Sequence, residues 1–146
     1  MVATSRPETI FADAALFVNP KDARYQKHIG EQIKHPINNK IIPILADEKV
    51  VVNFGTGVLK CTPGHDFSDY ELGKKHKLPI ISCFDERGFL NNLAGQWQGQ
   101  EPQNIRLALV KELEEKGICS KIENYQTNLI ISQKTGSLIE PLLSTQ

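Results

Sequence analysis

The segment from residue 53 to 70, N-F-G-T-G-V-L-K-C-T-P-G-H-D-F-S-D-Y, constrains this chain more than any other. Val58–Cys61 is a short β-prone run, and Pro63-Gly64 stops it. Asp66 can cap a helix that should run over about residues 67–76, with Ser68 and Glu71 offering a second cap. The chain must therefore hold a strand that passes almost directly into a helix. Lys60, Thr62, His65, Asp66 and Asp69 all crowd that junction. The two acids are three residues apart, so a helix puts them on one face, within reach of one ligand. Loops held by rigid elements are where small-molecule chemistry concentrates.

Elsewhere the pattern predicts many short strands. Residues 2–5 read as a strand broken by Pro7, and residues 10–18 are apolar and ambiguous between helix and strand. Asn19-Pro20 resembles a helix cap and first position, opening a short helix that ends near Gly30. Strands follow over about residues 32–37 and 40–45, separated by an Asn38-Asn39 turn, with Pro43 arguing for an edge or a bulge. Residues 50–53 and 80–84 are further strand candidates, the latter ending in an Asp85–Gly88 hairpin-type turn. Residues 102–116 give the clearest helix: Ile105, Leu109 and Leu113 recur at four-residue steps and Gly117 stops it. Residues 118–125 and 128–133 complete the strands, with a turn at residues 134–136. The result is an α+β expectation: a β-barrel-like core of short strands with peripheral helices, in one domain over residues 1–146. Both ends break off in structured-looking sequence, as expected of an insertion excised from a larger protein.

Composition narrows function. Lys and Arg number 17 and Asp and Glu 17, so there is no basic surplus to grip nucleic acid unaided. Cys61, Cys83 and Cys119 are odd in number and form no Cys-x-x-Cys, which disfavours a disulfide framework and points to a reducing, cytoplasmic compartment. No apolar run is long enough to span a membrane.

The junction residues admit more than one reading. Asp66 is a helix cap or a ligand group; Asp69 is a first-turn acid or the partner of a substrate ammonium. Lys60 is a solvent-facing strand residue or a charge that stabilises an ester carbonyl in transition. Phe54 is core or a stacking platform for a base, and Arg6 is a surface charge or a ligand contact. Gly55-Thr56-Gly57 lacks the spacing of a phosphate loop and reads as a turn. No metal is expected, because His76 lies almost three helical turns beyond Asp66. No Ser/His/Asp or Cys/His arrangement is assignable from spacing.

Thr4 to Thr9 (T-S-R-P-E-T) and Phe54 to Tyr70 together resemble the editing domains inserted into the class I aminoacyl-tRNA synthetases for valine, isoleucine and leucine. The likeness extends through residues 42–47, 91–95 and 139–143. Arg-Pro-Glu-Thr and Gly-Thr-Gly-x-x-Lys look valine-type. Ser5 stands where threonine is usual and keeps the hydroxyl; Gly64 stands where alanine is common, with little consequence expected. The resemblance implies hydrolysis of the ester of threonine mischarged onto the valine tRNA, without a cofactor. It implies Lys60, Asp66 and Asp69 as catalytic residues, Asp69 anchoring the α-ammonium. It implies a substrate site of Arg6, Thr9, Phe54, Thr62, His65, Asp66 and Asp69, with Arg6 and Phe54 on the terminal adenosine. The implied partners are the aminoacylated 3′ end of that tRNA and the rest of a synthetase in cis, in a monomer. A non-catalytic module that docks the tRNA acceptor end, or an editing domain of isoleucine or leucine type, is the alternative.

Overall fold

In the computed structural model, residues 1–126, 131–136 and 139 are described. Strands β1 (Ala15–Val18), β2 (Gln32–Lys34), β3 (Ile41–Ala46) and β4 (Val58–Cys61) form one mixed sheet in the order β2-β3-β1-β4. β1 is parallel to β3, with Leu16 opposite Ile44, and antiparallel to β4, with Leu16 opposite Lys60. Helices α1 (Phe67–Lys75) and α2 (Pro102–Glu115) complete an α+β fold. Among the described residues no helix is long and apolar enough to cross a membrane.

Two apolar clusters hold these parts. Ala15, Phe17, Val50, Cys61 and Leu72 join the sheet to α1. Ile105, Leu109 and Leu113, one stripe of α2, pack on Phe11, Ala12, Cys83, Phe84, Leu90 and Ala94. The four-residue repeat dictates that stripe, and Gly117, at φ 68°, ends the helix in the left-handed region. The 3₁₀ turn Pro7–Ala12 belongs to both halves: Phe11 and Ala12 enter the α2 cluster, and the chain then runs straight into β1. The ambiguous apolar run 10–18 is thus the end of a 3₁₀ turn followed by a strand.

Several expected strands are absent, and their backbone bonds show why. Residues 2–5 form no strand. Residues 50–53 are a turn because side chains take their carbonyls: Asn19 Nδ2 donates to Val50 O (2.8 Å) and Arg24 Nη2 to Val52 O (2.8 Å). Those donors come from the segment expected to be a helix after Pro20. Its polar side chains bond locally, with Asn19 Oδ1 accepting from the Lys21 amide and Asp22 Oδ1 from the Arg24 amide. Only a 3₁₀ turn at Gln26–His28 results. Residues 80–84 contribute a single bridge, Phe84 to Leu90, around the expected Asp85–Gly88 turn. Residues 118–126 are irregular; of the strand expected over 128–133, residues 128–130 lie outside the described residues, as does most of the segment 139–143. Pro43 sits on an interior strand, not an edge; it precedes the first β1 pairing, Leu16–Ile44, by one residue. Gly64 is also more constrained than expected. A β-carbon there would overlap the Ile81 carbonyl, so alanine requires the 81–82 backbone to move.

Candidate active site

β4 is an edge strand, and a cleft of about 780 Å³ opens beside it. Lys60 does not face water: it is 8% exposed, at the cleft floor. Its ammonium donates to Asp13 Oδ1 (2.7 Å), Thr62 Oγ1 (2.5 Å) and Thr9 Oγ1 (3.2 Å), which accounts for all three of its protons. Thr62 Oγ1 in turn donates to Asp13 Oδ1 (3.3 Å), and Thr9 Oγ1 to the Arg6 carbonyl (3.0 Å). Asp13 Oδ2 meets His35 Nε2 at 3.2 Å; since His35 Nδ1 faces the Ile37 amide, the hydrogen-bond pattern puts the ring proton on Nε2. The floor is a closed charge pair. The hydroxyls of Thr9 and Thr62 each spend their proton inward and one lone pair on Lys60, which leaves each one lone pair to offer a ligand.

The junction supplies the cleft's second side. Asp66 caps α1, Oδ1 accepting from the amides of Ser68 (2.8 Å) and Asp69 (3.0 Å), while its carboxylate remains exposed. Asp69, one helical turn on, is 8% exposed, and its Oδ2 accepts from the Thr62 amide (2.8 Å). Burial pushes the Asp69 carboxyl up to about 6; the Thr62 amide opposes this and the charge of Asp66 adds to it. Both acids line the cleft. The His65 side chain turns to the core: Nε2 accepts from the Cys83 amide (2.9 Å) and the ring packs on Phe84. Burial lowers its pKa to about 4, so the imidazole is neutral. Cys83 Sγ lies 3.3 Å from the same nitrogen, a Cys/His contact the spacing did not reveal. Burial pushes that thiol up to about 12, so the pair holds no thiolate. His76 bonds Asp47 (2.8 Å), not the junction acids.

Arg6 enters the cleft from the other side, its Nη1 donating to the His65 carbonyl (3.0 Å) and its Nε to Glu8 Oε1 (3.2 Å). Phe54 is 74% exposed on the Gly55–Gly57 turn, outside the cleft lining; Phe67, at the start of α1, is 73% exposed and part of it. Gly57, at φ 77° and against Arg24, has no room for a side chain.

A family model described as "Leucyl-tRNA synthetase, editing domain" matches residues 21–96, just over half of the chain. The chain belongs to this editing-domain family. Over all 146 residues it is 49% identical to a valine–tRNA ligase of Malacoplasma penetrans and 45% identical to that of Helicobacter hepaticus. It spans only 17% and 16% of those proteins, about a sixth of their length. The fold matches the crystal structure of GlLeuRS-CP1 with a TM-score of 0.70 over 88% of this chain and 83% of that one, at 12% identity.

The editing-domain cleft gathers Arg6, Thr9, Lys60, Thr62, His65, Asp66 and Asp69, His65 with its ring turned inward; Phe54 stands apart. Sequence reasoning missed Asp13, Glu8 and His35. Asp13 carried a signal, since it is an acid embedded in the apolar run 10–18 and such a residue needs a buried partner. Glu8 and His35 lie in polar surroundings in the sequence, and nothing local marks them as buried.

Proposed function

We propose that this editing domain hydrolyses the ester of threonine mischarged onto the valine tRNA, within a valine–tRNA ligase. The observation that carries this reading is the buried Lys60–Asp13 pair whose flanking hydroxyls, Thr9 and Thr62, each keep a free lone pair at the cleft floor. A threonine side chain supplies the proton those lone pairs lack. Valine in the same place leaves them desolvated and unpaired. The need is general: an apolar pocket separates such isosteres weakly, and valine-specific sites are the standard example of that weakness.

The remaining roles follow from position, save that of Phe54, which follows from the family resemblance. Asp69, ionised above about pH 6, holds the α-ammonium, whose charge offsets the cost of burying the carboxylate. The Lys60 charge lies beneath the place where negative charge develops on the carbonyl oxygen. Asp66, exposed and already fixed by two amides, orients the attacking water. Water adds to the ester carbonyl, the tetrahedral intermediate collapses, and the ribose oxygen leaves with a proton. Arg6 and Phe54 receive the terminal adenosine, the bound end of the tRNA. The neutral net charge leaves tRNA affinity to the rest of the synthetase.

The test is to offer the chain 3′-O-threonyl-adenosine and its valyl, norvalyl and isoleucyl counterparts. Preferential hydrolysis of the threonyl ester, lost in Lys60→Ala, supports the reading. Preference for another ester replaces it with an isoleucine- or leucine-type domain. Saturable binding without hydrolysis replaces it with a docking module.

A further inference from the structure

We propose that Glu8 and Arg106 are positioning residues for Arg6, setting where its guanidinium stands in the cleft and so how tightly the nucleotide end of the substrate binds. The inference rests on the role given to Arg6 above. Glu8 lies one position past the proline in the 3₁₀ turn and is 0% exposed. A carboxylate that deep is costly unless cations meet it. Two do, on the same oxygen: Arg6 Nε at 3.2 Å and Arg106 Nη2 at 2.7 Å, both reaching Oε1. Arg106 arrives from α2, 98 positions along the chain, on the helix whose other face anchors the second apolar cluster. Arg6 and Arg106 are each about one-third exposed, so the acid is sealed while its cations reach the surface.

This arrangement divides one negative charge between two positive ones. Charge-assisted bonds of this kind are directional, and an arginine fork fits a carboxylate with both nitrogens when nothing competes. Arg106 shares Oε1 with Arg6, while Oε2 is buried without a hydrogen-bond partner among the described residues. With Arg106 present, Arg6 donates through Nε to Glu8 Oε1 and through Nη1 to the His65 carbonyl across the cleft wall. Without it, Arg6 is the cation left to neutralise Glu8 among the described residues, and it is drawn off the cleft. Without Glu8, the two guanidinium groups face each other with no shared anion, and Arg6 shifts from its present orientation. In both cases the groups at the cleft floor are untouched, so the effect falls on binding.

The experiment compares Arg106→Met, Arg106→Lys and Glu8→Gln with the unaltered chain. It reads the Arg6 Nε–H resonance by ¹⁵N NMR and the kinetics on 3′-O-threonyl-adenosine. The expected result for Arg106→Met is a shifted Arg6 resonance, KM raised ~10-fold and kcat within about twofold, the pattern of a lost binding contact. Arg106→Lys, which keeps the charge and loses the fork, lies between. Glu8→Gln broadens the Arg6 resonance and raises KM. Should Arg106→Met or Glu8→Gln fail to fold, Arg106→Lys decides by the same readouts. An unchanged Arg6 resonance with unchanged KM in the folded variants overturns the proposal. If the unaltered chain does not hydrolyse the ester, the proposed function falls, and the Arg6 resonance still decides whether Glu8 and Arg106 hold it.

Discussion

The floor and the rim of the cleft are built on opposite principles. At the floor Lys60, Asp13, Thr9 and Thr62 are buried, and every proton of the ammonium is committed. At the rim Asp66 and Phe67 are exposed, and Phe54 is exposed outside the cleft lining. The floor is thus fixed before any ligand arrives, and its members hold the fold and the site at once. The rim can be altered with little cost to the fold. A substitution at the floor should damage stability and chemistry together; one at the rim should separate them.

Lys60→Met should give the largest effect. It strands Asp13 in the interior without its cation, which costs about 3–5 kcal/mol. It should also cut ester hydrolysis by about a hundredfold or more, since charge stabilisation at the carbonyl is lost. Denaturant unfolding beside single-turnover hydrolysis checks both. Adding Asp13→Asn should restore much of the stability and none of the activity. Recovery of both would mean that Lys60 serves only the fold.

Asp69 lies between floor and rim, and its two effects should have opposite signs. Its folded pKa of about 6 stands above the ordinary 3.8, so the folded chain binds more protons than the unfolded one between those values. Stability therefore falls as pH rises from about 4 to about 6 and stays lower above that. Asp69→Asn removes this cost while keeping an acceptor for the Thr62 amide. The variant should be more stable by on the order of 2 kcal/mol at pH 8, with the gain vanishing below about pH 4. Its hydrolytic activity should drop about tenfold or more, because the α-ammonium has lost its counter-charge. In the unaltered chain, kcat/KM should decline as pH falls through about 6. Thermal melts across pH 4–8 with paired kinetics test this; an Asn variant that is no more stable at pH 8 contradicts the buried-charge account.

Asp66 tests the rim more finely, because cap and charge can be parted. Asp66→Ala loses both amide contacts and about 1 kcal/mol. Asp66→Asn keeps an oxygen for the cap, so it should melt within a degree or two of the parent. If the carboxylate orients water, both variants should lose activity alike, about tenfold. Activity that instead tracks stability would reduce Asp66 to a cap.

The same contrast explains what was legible in the sequence. α1, α2 and β4 were readable because periodicity, Asp66, Pro63-Gly64 and Gly117 are local signals. The strand misread at residues 50–53 and the helix misread after Pro20 failed together, since polar side chains of the second segment bond their own backbone and also take the carbonyls of the first. Lys60 and Thr62 were visible as chemistry-bearing types beside a turn. Their partner Asp13 lies 47 positions before Lys60, and only the β1–β4 pairing brings them together. Glu8 and Arg106, 98 positions apart, were further beyond reach. Alternation along β4 was misleading as well, for it buries Lys60 and leaves Leu59 partly exposed.

The smallest expected effect belongs to the exposed aromatics. Phe54 is 74% exposed, so Phe54→Ala should move stability by no more than about 0.5 kcal/mol. Stacking of a base on an aromatic ring contributes about 1–3 kcal/mol, so KM for 3′-O-threonyl-adenosine should rise about fivefold or more. Phe67, equally exposed but part of the cleft lining, is the comparison that sharpens this. Both rings need not touch one adenine. A larger KM increase in Phe67→Ala than in Phe54→Ala would move the stacking platform from the glycine turn to the first residue of α1. Unchanged KM in both would leave the nucleotide end to Arg6, and would place the whole of adenosine recognition on the side of the cleft that Glu8 braces.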